Sequence, residues 1–156
     1  MIKVNVFVKN LYWQKYLTDP KNYFNKQIKK LRNKEKSLYK KNYSFSIMLT
    51  GNKDIKYFNK KFRNKNKTTD ILSFAFYEKK ELKALLKKKR NFYLGDIVIN
   101  FFKIKKNDKK ENFLKELNKL WIHGFLHLLG HDHKIYKDYI KMNKIERRYL
   151  HRIEND

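Results

Sequence analysis

Four of the chain's five histidines, His123, His127, His131 and His133, fall within residues 123–133. His123 and His127 are four apart, so on an α-helix they share a face, one turn above the other. Gly130 then supplies a helix stop, because glycine readily takes the left-handed conformation that ends a helix. The chain can turn there and bring His133 back over the first two. Two imidazoles on a rigid helix and one from the following turn make a three-nitrogen site. That is the ligand count of a catalytic zinc, which keeps a fourth position open for water or substrate. An isolated HxxxH recurs by accident. Here a third histidine follows a glycine stop and almost none is spent elsewhere, so the expectation is one Zn2+ per chain on His123, His127 and His133. His131 is the spare, with a solvent-facing or supporting role. Imidazole also suits nickel, copper and iron.

The motif is not the metalloprotease HExxH, whose glutamate after the first histidine serves as general base. Gly124 occupies that position. Glu116 lies on the same helical face but roughly 10 Å up the axis, at about 1.5 Å rise per residue, too far to activate a water held by the metal. The helix carries metal ligands without a base.

A chain of 156 residues with 41% hydrophobic residues fits one domain, 1–156, with a genuine core. Forty Lys+Arg against fifteen Asp+Glu give a formal charge of +25, which points to a polyanionic partner, RNA or DNA first. The joint richness in Lys, Asn, Ile, Tyr and Phe is also what an A+T-rich genome imposes, so part of that charge is open to a reading as codon bias on a solvated surface. Cysteine is absent, so disulfides and thiolate ligands are excluded. The first residues alternate as a strand rather than forming the apolar core of a signal peptide. No apolar run approaches the ~20 residues of a membrane span. The expectation is a soluble, cytoplasmic protein with no membrane contact.

The elements that must position the histidines follow from periodicity. Ile2, Val4, Val6 and Val8 alternate as a strand. Asp19-Pro20 starts a helix whose apolar stripe is Phe24, Ile28 and Leu31, fading into a basic, solvated stretch over 32–42. Tyr43, Phe45, Ile47 and Leu49 mark a second strand, and Ile55, Phe58 and Phe62 a short helix. Residues 63–69 read as a polar loop. Asp70 to Tyr77 is a third strand, apolar enough to be central. Residues 78–92 read as a loop or short helix, and 94–99 as a fourth strand. Asp108 with Glu111 resembles a capping box. It opens a long helix with Phe113, Leu117, Leu120, Trp121 and Leu128 on its stripe, which carries His123 and His127 and should be buried. Ile135, Tyr139, Met142, Ile145, Tyr149 and Ile153 make a last amphipathic helix. The sum is a four-stranded sheet with helices packed on it.

Three segments together resemble the bacterial YbeY-type endoribonucleases, or rRNA maturation factors. The family hallmark H-G-x-L-H-L-x-G-Y/H-D-H matches residues 123–133 at every fixed position. Its block R-x-K-D-x-P-T-D/N-V-L-S-F corresponds to Arg63 through Phe74, and its strand motif to Leu94 through Ile99. Met142 and Glu146 stand about where the family places them. The resemblance covers roughly 44–150; residues 1–42 agree only in their pattern of elements. Asn66 and Thr68 replace the family's usual Asp and Pro, which puts the rigidity of that loop in doubt rather than the histidines.

The resemblance implies a zincin-like α+β domain with a mixed sheet and zinc on three histidines. It also implies a single-strand-specific endoribonuclease acting in small-subunit rRNA 3′-end maturation and ribosome quality control, with single-stranded rRNA and the ribosomal small subunit as partners. The family's functional arginine carries over to Arg63 as the catalytic residue. From its chemistry alone Arg63 is either a planar fork for phosphate oxygens or a surface arginine in a basic loop. Phe74 and Phe76 are candidates to stack unpaired bases, against a plainer reading as strand core. Asp70 and Asp96 either hold a histidine or serve as turn residues. Attack by water and attack by the ribose 2′-OH both stay open. Two other classes compete: a metal hydrolase of another substrate such as a peptide, and a non-catalytic ribosome-assembly factor with a structural, four-ligand metal.

Overall fold

Alternation of buried Ile2 and Val4 with exposed Lys3 and Asn5 makes Ile2–Val8 the first strand, β1. The computed structural model describes residues 1–38, 41–88, 91–105 and 109–154. Asp19 caps the helix α1 (Pro20–Lys34), its Oδ1 accepting the Asn22 N–H at 2.9 Å, with Pro20 pre-set for the first turn. Phe24, Ile28 and Leu31 are buried as the stripe requires. The chain continues through β2 (Tyr43–Thr50), α2 (Asn52–Arg63), β3 (Ile71–Ala75), α3 (Lys79–Lys87), β4 (Phe92–Asn100), α4 (Lys110–Leu128) and α5 (Tyr136–Glu154). A mutual bond pattern between Glu78 and Glu81 caps α3, so a short helix, Lys79–Lys87, occupies the first part of the 78–92 stretch.

The strands form one mixed sheet in the order β1-β2-β4-β3. β1 and β4 flank β2 in parallel, and β3 runs antiparallel to β4. Helices α1, α4 and α5 contribute to the main core against one face, with Phe24, Phe45, Trp121, Phe125, Met142 and Ile153 among its buried side chains. On the opposite face α2 lays Ile55 against Leu72 and Val98, flanked by Met48, Phe58 and Phe74. The fold is α+β with the histidine-bearing helix buried along most of its length.

Two expectations need correction and one falls outside the described residues. β3 is an edge strand, not a central one. Its apolar run arises because both faces are covered: Leu72 packs under α2, while Ile71 and Ser73 lie against α4. The stretch after α1 is less solvated than expected. Leu38 is buried, and the Glu35 carboxylate is buried in an ion pair with Arg148 Nε at 3.0 Å. Asp108 lies outside the described residues; the cap of α4 is Lys109, with no side-chain bond.

Helix α4 meets the sheet closely at Gly124. A methyl group there would sit 2.9 Å from Ile71 Cδ1, 2.9 Å from Ser73 Oγ and 3.0 Å from Ile97 Cγ2. Gly124→Val should therefore destabilise the protein by about 1–3 kcal/mol through overpacking. Gly124→Ala should cost less, because alanine recovers up to ~1 kcal/mol of helix propensity. Urea denaturation of the three proteins checks this, and equal midpoints would mean the contact is slack.

Candidate metal centre

The sheet consumes the apolar side of α4, which leaves His123 and His127 half-buried at its margin, one turn apart. Their Nε2 atoms lie 3.1 Å from each other. Two nitrogens of a tetrahedral zinc set stand about 3.3 Å apart, given Zn–N bonds of about 2.0–2.1 Å. His133 closes the cluster, and the three ligand atoms all fall within 4.8 Å of one another. The turn that delivers it is built by the end of α4. Gly130 takes a φ of +81°, the His131 N–H donates to Leu126 O at 3.0 Å, and the Gly130 N–H donates to His127 O at 2.9 Å. These bonds form a Schellman motif, so the glycine stop acts as its position suggests. Asp132 Oδ1 then accepts the His133 N–H at 2.8 Å and fixes the last step.

The outer nitrogens decide what the inner ones can do. His127 Nδ1 is 3.0 Å from the backbone carbonyl of His131, which can only accept, so Nδ1 carries the proton and Nε2 keeps a lone pair. His123 Nδ1 is 3.1 Å from Glu146 Oε2, and the carboxylate imposes the same tautomer. Burial, then the neighbouring His123 and His133, push the His127 pKa down to about 4. The ring is therefore neutral at neutral pH, as a ligand must be. The donor set thus fits a divalent ion of the zinc type, with His123, His127 and His133 as its holders.

Among the described residues the cluster has three members, and neither candidate for a fourth joins it. Asp132 turns to the His133 amide and to Lys134 Nζ at 3.4 Å. The His131 ring lies with Leu82, Lys79 and Lys141 on a separate groove, where burial, then Lys141 and Lys79, lower its pKa. Beside the cluster is a groove of about 220 Å³ lined by His123, His133, Tyr139, Met142, Asn143 and Glu146.

Arg63 is outside that groove. It ends α2, its Nη2 donates to Ser73 O at 3.2 Å, and its guanidinium lies 5.8 Å from the Phe74 ring centroid. Ser73 is also the residue whose Oγ faces Gly124, so β3 alone stands between Arg63 and the α4 turn that carries the histidines. Neither Asp70 nor Asp96 holds a histidine. Asp70 Oδ1 accepts the Ile71 N–H at 2.8 Å, a turn role, and Asp96 Oδ1 accepts from the Tyr93 hydroxyl at 2.6 Å. Glu116 pairs with Lys119 at 2.6 Å, away from the cluster. The 64–69 loop that lacks the family's proline is pinned otherwise: Asn59 Nδ2 donates to Lys67 O at 2.9 Å and Asn100 Nδ2 to Thr69 O at 3.0 Å. The support of His123 by Glu146 could not be read from spacing, because 23 residues separate the two. Only the family resemblance drew notice to Glu146.

Known proteins bear on this geometry. The family described as Endoribonuclease YbeY matches residues 9–154. A protein named Endoribonuclease YbeY from Pelagibacter ubique is 54% identical over 56 residues, which cover 35% of this chain and 37% of that protein. One of the same name from a Geobacillus species is 54% identical over 43 residues, 26% of this chain and 28% of its own length. The matched stretches thus span about a third or less of these relatives. A protein from Thermotoga maritima with a known solution structure superposes with a TM-score of 0.58 at 24% identity, covering 98% of this chain and 89% of that one. This likeness shows the shared fold.

Carboxylates that orient a ligand histidine typically contribute about 10–100-fold in metal affinity. Glu146→Ala should weaken Zn2+ binding by about that factor while leaving three ligands in place, as read by competition with a chromophoric chelator. Unchanged affinity would mean the Glu146–His123 contact does not support the site.

Proposed function

The chain belongs to the Endoribonuclease YbeY family, and we propose that it is a single-strand-specific, metal-dependent endoribonuclease. The carrying observation is the convergence of the His123 and His127 Nε2 atoms with His133 while both helical Nδ1 atoms are engaged elsewhere. An open fourth position favours a catalytic over a structural ion. Gly124, pressed on the sheet where a metalloprotease would place its glutamate, argues against a peptidase. Zinc, one per chain, is the proposed ion, because three imidazoles with an open fourth position are the ligand set of a catalytic zinc. The biological setting that goes with this reading is the cytoplasm, with small-subunit rRNA as substrate, 3′-end maturation and ribosome quality control as the task, and the small ribosomal subunit as partner. No described helix is long and apolar enough to cross a membrane.

The roles divide among the residues as follows. His123, His127 and His133 would hold the ion, which supplies Lewis acidity to a phosphoryl oxygen and lowers the pKa of a water towards ~7. Glu146 and the His131 carbonyl keep the two helical imidazoles in the binding tautomer. Arg63 presents a planar fork for the non-bridging oxygens of the scissile phosphate. Its hold on Ser73 O keeps the fork at the open edge of β3, facing an RNA strand that passes the sheet edge. The lysines supply sequence-blind attraction to the backbone.

Three outcomes are expected. Elemental analysis of untagged, zinc-reconstituted protein should find about one metal per chain, and a persistent absence would remove the site. RNA binding should fall steeply with ionic strength and vary little with sequence outside a single base position; salt-insensitive binding would make the +25 charge compositional background. In single-turnover cleavage of single-stranded RNA, Arg63→Ala should lose about 3–4 kcal/mol of transition-state stabilisation, on the order of a hundred- to a thousandfold in rate. Arg63→Lys should recover little, because a point charge cannot reproduce the fork, and metal content should stay unchanged. Wild-type rates for Arg63→Ala would return Arg63 to the surface, and wild-type rates for His127→Ala would return the protein to the assembly-factor class.

A further inference from the structure

On the sheet face opposite α4 a second cavity, of about 310 Å³, opens beside Arg63. Met48, Phe74 and Val98 form its floor, Phe58 and Phe62 of α2 form a wall, and Asp96 places a carboxylate among them. Phe62 is 58% exposed although it contacts Phe74 edge-on at 5.3 Å and stacks with Phe58 at 6.3 Å. Basic groups rim this aromatic row. Lys61 Nζ lies 5.5 Å from the Phe62 ring and 5.6 Å from the Tyr57 ring, and Arg63 covers Phe74.

The carboxylate is what makes the cavity more than imperfect packing. Asp96 is half-buried, so its second oxygen stays open to solvent and to a donor on a ligand. Burial, then the Asp96 contact, push the Tyr93 hydroxyl up to about 12, so it stays protonated and donates to Asp96 Oδ1 at 2.6 Å, while Ser46 Oγ approaches it at 2.7 Å. Among the described residues Oδ2 takes no hydrogen bond and has no cation paired with it. An aromatic wall, an acceptor-only group inside and a guanidinium at the mouth match a flat heterocycle that bears N–H donors and is attached to a phosphate. We infer that this cavity receives one unpaired base of the RNA strand whose phosphate Arg63 holds, stacked on Phe62 and donating an exocyclic amine to Asp96.

This subsite rests on the ribonuclease reading and adds a preference to it. Cytosine offers the carboxylate its N4 amine, whereas uracil turns the O4 acceptor towards it, so the pocket should favour cytosine over the equal-sized uracil. The test is fluorescence anisotropy of end-labelled 2′-O-methyl cytidine and uridine hexamers on zinc-loaded, full-length protein at low salt. Wild type should bind the cytidine hexamer about tenfold more tightly. Asp96→Asn should level or reverse the preference, because the carboxamide can donate to O4. Phe62→Ala should weaken both hexamers by about five- to a hundredfold, the range for one stacked base, with an unchanged melting temperature given its exposure. Equal affinities of wild type for the two hexamers, or wild-type binding by Phe62→Ala, would overturn the subsite while leaving the nuclease reading standing. Failure of wild type to bind either hexamer would overturn both.

Discussion

Everything in this protein that bears on chemistry depends on how closely α4 lies on the sheet at Gly124. With a hydrogen in place of a side chain, the helix backbone settles against Ile71, Ser73 and Ile97, and the contact sets both depth and rotation. That rotation sends Phe125 and Trp121 into the core and leaves His123 and His127 at the margin of the buried side. A bulkier residue would lift the helix off the sheet and carry the imidazoles with it. The same contact excludes a base at this position, so acid–base support has to come from another element. α5 supplies the nearest carboxylate, Glu146, but commits it to His123 rather than to the groove.

The sheet edge extends the effect of that contact. Ser73 faces Gly124 with its side chain and receives Arg63 with its carbonyl, so one residue relays the position of α4 to the far side of β3. An edge strand has backbone groups to spare, and here one of them anchors a guanidinium instead of inviting another strand. Arg63 then sits at the β3 edge, beside the aromatic cavity. The loop behind it is held by Asn59 and Asn100, two buried amides that replace the stiffness a proline would give.

Local chemistry was legible in the amino-acid order, and long-range placement was not. The i, i+4 histidines, the Gly130 stop and the return of His133 are all set by backbone geometry within one turn and its cap, so spacing alone predicts them. Alternation likewise foretold β1 and β2, an apolar run β3, and stripes the four longer helices. The edge position of β3 was misread since a strand covered on both faces has the same apolar run wherever it lies. The partners of Glu35 and Glu146, and with them the filling of the post-α1 stretch, were illegible for another reason: Arg148 and His123 are distant in sequence, and no periodicity encodes such a meeting.

The compactness of the histidine cluster has a thermodynamic consequence. Its three candidate ligands span only residues 123–133, and the sheet they lean on is closed by pairings such as Thr50 with Asn100. Closing the small loop between them would cost little chain entropy, so the unfolded polypeptide would itself be a modest chelator of any ion the site holds. An ion that binds both states stabilises the folded one only by the difference between the two affinities. Saturating metal should therefore raise the unfolding free energy by less than the native dissociation constant implies. The share withheld measures how much of the site is local peptide chemistry and how much is the work of the fold.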